Sequence, residues 1–150
     1  ITHVINAGEW LVGAIDRVVA DAEHQILDGV DVEDTVHILT RQGNVLGTYS
    51  LNQHQAPNES TITVICEKGT VRFDLPRHHW CWMTDEHWVD ADTIEIERDT
   101  LFEHQAEAFL DAVEGRAEPL CTLDEGLQTL RVNQAALKSV QTQQWQTVSQ

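Results

Sequence analysis

The stretch TVHILTRQGNVLGTYSLN, residues 35–52, decides how the rest of the chain is read. It divides into two β-rich runs, Thr35–Arg41 and Val45–Asn52, separated by Gln42-Gly43-Asn44, the composition of a tight hairpin. Downstream, Ala56-Pro57-Asn58 breaks the chain. Two further alternating runs, Ser60–Cys66 and Thr70–Leu75, then meet at Glu67-Lys68-Gly69 and form a second expected hairpin. Upstream, Asp16–Ile26 alternates, with Val18, Ala20, Ala22, His24 and Ile26 on one side and Arg17, Asp21, Glu23 and Gln25 on the other. Pro76 closes the second hairpin, after which Trp80-Cys81-Trp82, Trp88 and Thr93–Arg98 supply one or two more strands.

Outside this β region the period changes. At the start, His3–Gly13 reads as a helix with no residues ahead of it to cap it. In the final third, Phe102, Ala106, Phe109 and Val113 share one helical side opposite Glu103, Glu107, Asp111 and Glu114, and Gly115 ends the run. Thr122-Leu123-Asp124-Glu125 is a capping box, and Leu123, Leu127, Leu130 and Leu137 are the expected apolar stripe of the helix it opens, interrupted by Gln134. The order helix, about six strands, two helices has no βαβ alternation and no repeat. It predicts a single α+β domain over residues 1–150, an open, mostly antiparallel or mixed sheet with helices packed on one face. The other face is left for water or another protein.

Composition narrows the function. Nine Lys and Arg face 25 Asp and Glu, a formal charge of −16, so a nucleic-acid backbone is repelled. No run approaches the roughly 20 apolar residues of a membrane span. Cys66, Cys81 and Cys121 are odd in number and never form a C-x-x-C pair, which argues against a disulfide framework or a structural zinc finger and points to a reducing, cytoplasmic setting. There is no G-x-G-x-x-G, no P-loop and no nucleophile elbow.

Few residues are left to carry chemistry. On the opening helix His3, Asn6, Ala7 and Trp10 share a side, while Val4, Ile5, Gly8, Leu11 and Val12 turn toward the expected core. His3 is therefore the candidate for facing a cleft, with Asn6 and Trp10 as candidate substrate-binding residues beside it. Trp80, Trp82 and Trp88 are the expected interface residues, because the sheet has a face to spare. A metal-binding alternative using His78, His79, Cys81 and His87 has suitable ligands, but on a strand His78 points away from His79 and Cys81, so no metal site is assigned. His24, His37, His54 and His104 have adequate structural roles and receive none in function.

Taken in order, these pieces resemble the C-terminal domain of the Gfo/Idh/MocA oxidoreductases, the family of glucose-fructose oxidoreductase and inositol dehydrogenase. HVINAGEWLVG, residues 3–13, is similar to the family's H-x-x-D-x-x-x-W-x-x-G, with Asn6 in place of the usual aspartate. Val32–Val36 resembles the start of its next strand, and ICEKGTVRFD, residues 65–74, its G-x-x-G-T hairpin, with Cys66 where glycine is common. Phe102–Gly115, Pro119, Asp124–Leu127 and Ala136–Ser139 resemble its closing pair of helices.

The resemblance implies a parent protein in which a Rossmann domain, carrying a catalytic lysine in a Glu-Lys-Pro motif, precedes this region and binds NAD or NADP. It also implies hydride transfer between the nicotinamide and a hydroxyl-bearing carbon of a sugar, polyol or related compound, with His3 moving the hydroxyl proton. The family pairs that histidine with an aspartate four residues earlier, a position ahead of Ile1, so the expectation is a chain cut through the active-site helix. Such a fragment supplies part of the substrate site and the interface of a homodimer or tetramer, holds no cofactor of its own, and is inactive alone. The alternative is a stand-alone, non-catalytic module that associates through its sheet.

Overall fold

A computed structural model describes residues 1–91, 95 and 97–148. The elements are α1 (Thr2–Val12), β1 (Arg17–Glu23), β2 (Thr35–Gln42), β3 (Val45–Asn52), β4 (Thr61–Cys66), β5 (Gly69–Asp74), β6 (His79–Met83), β7 (Val89–Asp90), α2 (Arg98–Val113), α3 (Leu123–Thr142) and β8 (Gln146–Thr147). The α+β class and the antiparallel pairing expected from sequence are both present. Among the described residues the strands number eight rather than about six, two of them only two residues long. They form two four-stranded sheets, each in its own compact unit: residues 1–54 with 121–150, and residues 55–120.

In the first unit the order is β3-β2-β1-β8. Gln42 pairs with Val45 across a two-residue loop in which Gly43 has φ 58°, a sign glycine takes without steric cost. Register then sorts the side chains by row. Val18, Thr40 and Gly47 form one row, and Ala20, Ile38 and Tyr49 the next, all facing inward. Val19, Leu39 and Thr48, and Asp21, His37 and Ser50, form the corresponding outward rows. The inward face meets α1 and α3 in a core of Ile5, Ile15, Val18, Ala20, Ile38, Val132, Ala135, Ala136 and Val148.

Two helix faces differ from the sequence reading. The buried side of α3 is Thr129, Val132, Ala135, Ala136 and Ser139, while three of the four leucines of the expected stripe are turned out, Leu123, Leu130 and Leu137 at 78%, 51% and 55% exposure, and Leu127 is half-buried. Small residues let a long helix lie close on a sheet whose inward face includes Ala20 and Gly47. On α1, Ile5 is fully buried, but Val4 and Leu11 are exposed and Glu9 takes a place on the inner side. The alternation read through to Ile26 stops at Glu23, because the amides of Gln25, Ile26 and Leu27 are taken up by the carboxylate of Asp34.

The second unit holds the β4-β5-β6-β7 meander. Val64, Val71, Trp82 and Val89 form one cross-strand row of an apolar face, with Ile62, Phe73 and Trp80 beside it. The opposite face carries Arg72, Cys81 and Asp90 in one row. The strand expected over Thr93–Arg98 lies largely outside the described residues; Glu97 is the N-cap of α2 and Arg98 its first residue. The periodicity read for α2 produces a helix, but its apolar positions Phe102, Phe109 and Val113 are 61–67% exposed.

Candidate functional site

Within the first unit, α1 is clamped to its neighbours by a polar cluster that no periodicity argument includes. Glu9 Oε1 accepts from the Ile15 backbone N–H at 3.2 Å and from Gln128 Nε2 at 3.0 Å, and Gln128 also donates to the Ile15 carbonyl. The Thr129 hydroxyl donates to Glu9 Oε2 at 2.8 Å and accepts from Asn6 Nδ2 at 3.1 Å. One turn earlier the Thr2 hydroxyl reaches Asn133. Tyr49 packs against Gly8 so closely that a Cβ there would fall inside its hydroxyl, and that hydroxyl donates to Gln42 Oε1 at 3.3 Å. Burial, with the negative charge of Glu9 nearby, pushes the Tyr49 phenol up from its ordinary range, so it stays a neutral donor.

This clamp fixes which way α1 faces. His3, Val4, Trp10 and Leu11 are left on the exposed side, Trp10 at 79% exposure, and Asn6 is turned to α3. His3 and Trp10, seven residues apart, are two turns along one face. An imidazole held in that way by a rigid helix can pass a proton to or from a hydroxyl brought against it. Asn6, expected beside them as a substrate contact, spends its amide on Thr129. The signal that reveals the clamp is a glutamate inside the first helix at a position that periodicity assigns to the inner side.

A second feature of the same unit is the outward sheet face. Val19, Asp21, His37, Leu39, Thr48 and Ser50 line an open cleft of about 620 Å³ on it. In the second unit, Trp80 and Trp82 have ring centroids 5.2 Å apart on the apolar face, both half-buried. Trp88 is separate from them, 39% exposed and beneath the Arg72 guanidinium at 4.8 Å. The three expected interface tryptophans are thus a pair and a single residue. Of the histidines in the metal alternative, His79 is brought to Cys81, together with Asp90, whereas His78 turns off the strand at φ 47° and His87 lies in the loop before β7.

Comparison with known proteins agrees with this architecture. The sequence model of the GFO/IDH/MocA C-terminal domain matches residues 1–72. Among solved structures, an oxidoreductase domain protein from Kribbella flavida superposes with a TM-score of 0.87 at 19% identity, over 99% of this chain and 48% of its own. Levoglucosan dehydrogenase, solved with NADH, gives 0.88 at 19% identity with the same coverages. The WlbA dehydrogenase of Bordetella pertussis, solved with NADH and UDP-GlcNAcA, gives 0.75 at 22% identity over 99% of this chain and 43% of its own. No curated protein sequence matches. The chain therefore spans about half the length of the structures it resembles. Over residues 1–72 its sequence is similar to the C-terminal domain of the Gfo/Idh/MocA oxidoreductases, and over nearly all of its length it shares their fold.

Proposed function

We propose that residues 1–150 act as the substrate-binding and oligomerisation domain of an NAD(P)-dependent oxidoreductase, completed by a Rossmann domain in the same polypeptide. The reaction is hydride transfer between the nicotinamide and a carbon bearing a hydroxyl, on a sugar, polyol or related compound. The observation that carries this reading is the exposed His3–Trp10 face of α1, held outward by the Glu9 clamp on a fold shared with NADH-bound dehydrogenases. His3 moves the hydroxyl proton, Trp10 supplies an apolar wall for the substrate, and Asn6 acts through the Thr129 contact by holding the helix. NAD or NADP is bound by the Rossmann domain. Taken alone, residues 1–150 lack the cofactor half of the site and do not turn over.

The outward face of β1-β2-β3 supports the oligomeric part of the proposal. It is an open antiparallel face with Leu39 half-exposed at its centre, suited to a second copy in a homodimer or tetramer. The same face supports the alternative of a stand-alone association module.

One experiment separates the two readings. The coding sequence for about 150 residues ahead of Ile1, the length of one domain, is read and expressed together with this chain. The product is then assayed for NAD(P)H formation on a panel of sugars and polyols. The expected result is a nucleotide-binding segment and an activity that His3→Gln lowers by about 100- to 10,000-fold in kcat. Absence of any nucleotide-binding segment there, with association of the chain retained, leaves the stand-alone module and overturns the oxidoreductase reading.

A further inference from the structure

Among the described residues, His79, Cys81 and Asp90 form a group whose donor atoms all lie within 4.8 Å of one another. The grouping follows from backbone geometry. His79 and Cys81 are two residues apart on β6 and so share a face, and Asp90 on β7 is the direct antiparallel partner of Cys81. Cys81 is buried, with 8% exposure, while the Asp90 side chain is open to solvent and touches His79, Nε2 to Oδ1, at 3.2 Å.

We propose that this triad is a binding site for a zinc-class divalent ion, with Cys81 Sγ, a ring nitrogen of His79 and a carboxylate oxygen of Asp90 as ligands. One sulfur, one nitrogen and one oxygen is a donor set that borderline-soft ions accept and that magnesium or calcium, which take oxygen ligands, does not. Tetrahedral zinc with bonds of about 2.0–2.3 Å holds its donors about 3.5 Å apart. Closing the triad from 4.8 Å to that spacing is a matter of about 1 Å. The exposed Asp90 side chain is free to move that far.

The neighbouring charges are engaged elsewhere. Arg72, next to Cys81 in register, places its guanidinium over Trp88, and Asp74, next to His79, is paired with Arg77 at 2.6 Å. Three protein ligands leave one coordination position for water or an incoming donor. In this fold the ion ties β7, a strand of only two residues, to β6.

The test uses the chain with the two exposed thiols replaced, Cys66→Ser and Cys121→Ser, so that Cys81 is the one sulfur available. After chelator treatment it is titrated with Co²⁺, whose bond to a thiolate gives a charge-transfer absorption band, and Zn²⁺ is then added. The expected result is one equivalent of Co²⁺ with that band, displaced by Zn²⁺. Asp90→Asn, at an exposed position that does not endanger folding, lowers the Co²⁺ affinity at least about tenfold, since even outer partners of metal ligands are worth that much. His79→Gln behaves likewise. No charge-transfer band in the folded protein, or a band whose affinity Asp90→Asn leaves unchanged, overturns the site.

Discussion

Ser139 has no exposed surface and satisfies two backbone groups at once. Its hydroxyl accepts from the Ala20 N–H at 2.9 Å and donates to the Gln144 carbonyl at 2.8 Å. β8 pairs only with Arg17 and Val18, so this one side chain finishes the edge of β1 where the short strand stops. Ser139→Ala leaves a donor and an acceptor unpaired away from water. Urea unfolding is expected to show a loss of about 1–3 kcal/mol. Asp34 does related work for the loop after β1. Its carboxylate accepts from the backbone of Gln25, Ile26 and Leu27 and from the Thr35 hydroxyl, covered by the loop it gathers rather than sunk in the core. Those backbone donors at Ile26 and Leu27 first of all hold its pKa far below the usual carboxylate range. Above about pH 4, the ordinary carboxylate value, both folded and unfolded chains carry the charge and the full contribution is present. As pH falls below that, the unfolded chain takes up the proton while the folded carboxylate resists it, so stability declines with falling pH. Amide exchange at residues 25–27 is expected to stay slow well into acid in the native chain and to be fast at neutral pH in Asp34→Asn, whose amide oxygen cannot serve three N–H groups as a carboxylate does.

At the scale of elements, both hairpins were legible because alternation and a turn residue are local signals. Thr35–Asn52 and Thr61–Asp74 fold within a residue or so of the runs read from sequence. The capping box on α3 was legible for the same reason: the Glu125 N–H reaches Thr122 Oγ1 and the Thr122 N–H returns to Glu125. The face of α3 was not legible, because leucines dominate a hydropathy reading while the sheet selects by size. Nor was Asp90 as a neighbour of Cys81, since that proximity comes from strand pairing and not from sequence spacing. The seating of α1 against β3 depends on Gly8, where a Cβ would collide with the Tyr49 hydroxyl. Gly8→Ala forces the helix outward or displaces the ring, and is expected to cost about 1–3 kcal/mol by thermal or denaturant unfolding. Gain of stability from that substitution, through alanine's better helix propensity, contradicts the clamp described for α1.

The candidate site was half legible over the whole molecule. His3 and Trp10 could be placed on one helical face from their spacing, but the reason that face is outward, the Glu9–Thr129–Gln128 cluster, joins residues about 120 positions apart. Counting layers led to the expectation of one spare sheet face bearing Trp80, Trp82 and Trp88, whereas those residues belong to the second unit; the outward face of β1-β2-β3 in the first unit is a separate surface whose use can be tested directly. Leu39 stands half-exposed among Val19, His37 and Thr48 on that face, away from the core. Leu39→Glu is expected to leave the monomer folded and to weaken self-association about 100-fold or more, the effect of burying an unpaired charge, as read by sedimentation. An unchanged sedimentation profile removes this face from the interface.

The leucines on the outer side of α3 and the phenylalanines along α2 have a practical consequence for anyone handling this polypeptide in a tube. Large apolar side chains on surfaces of this kind attract one another between copies, and the formal charge of −16 opposes that attraction. Colloidal behaviour then follows the charge. Light scattering should rise when salt screens the repulsion, and should rise most as acid neutralises the carboxylates, well before any loss of secondary structure.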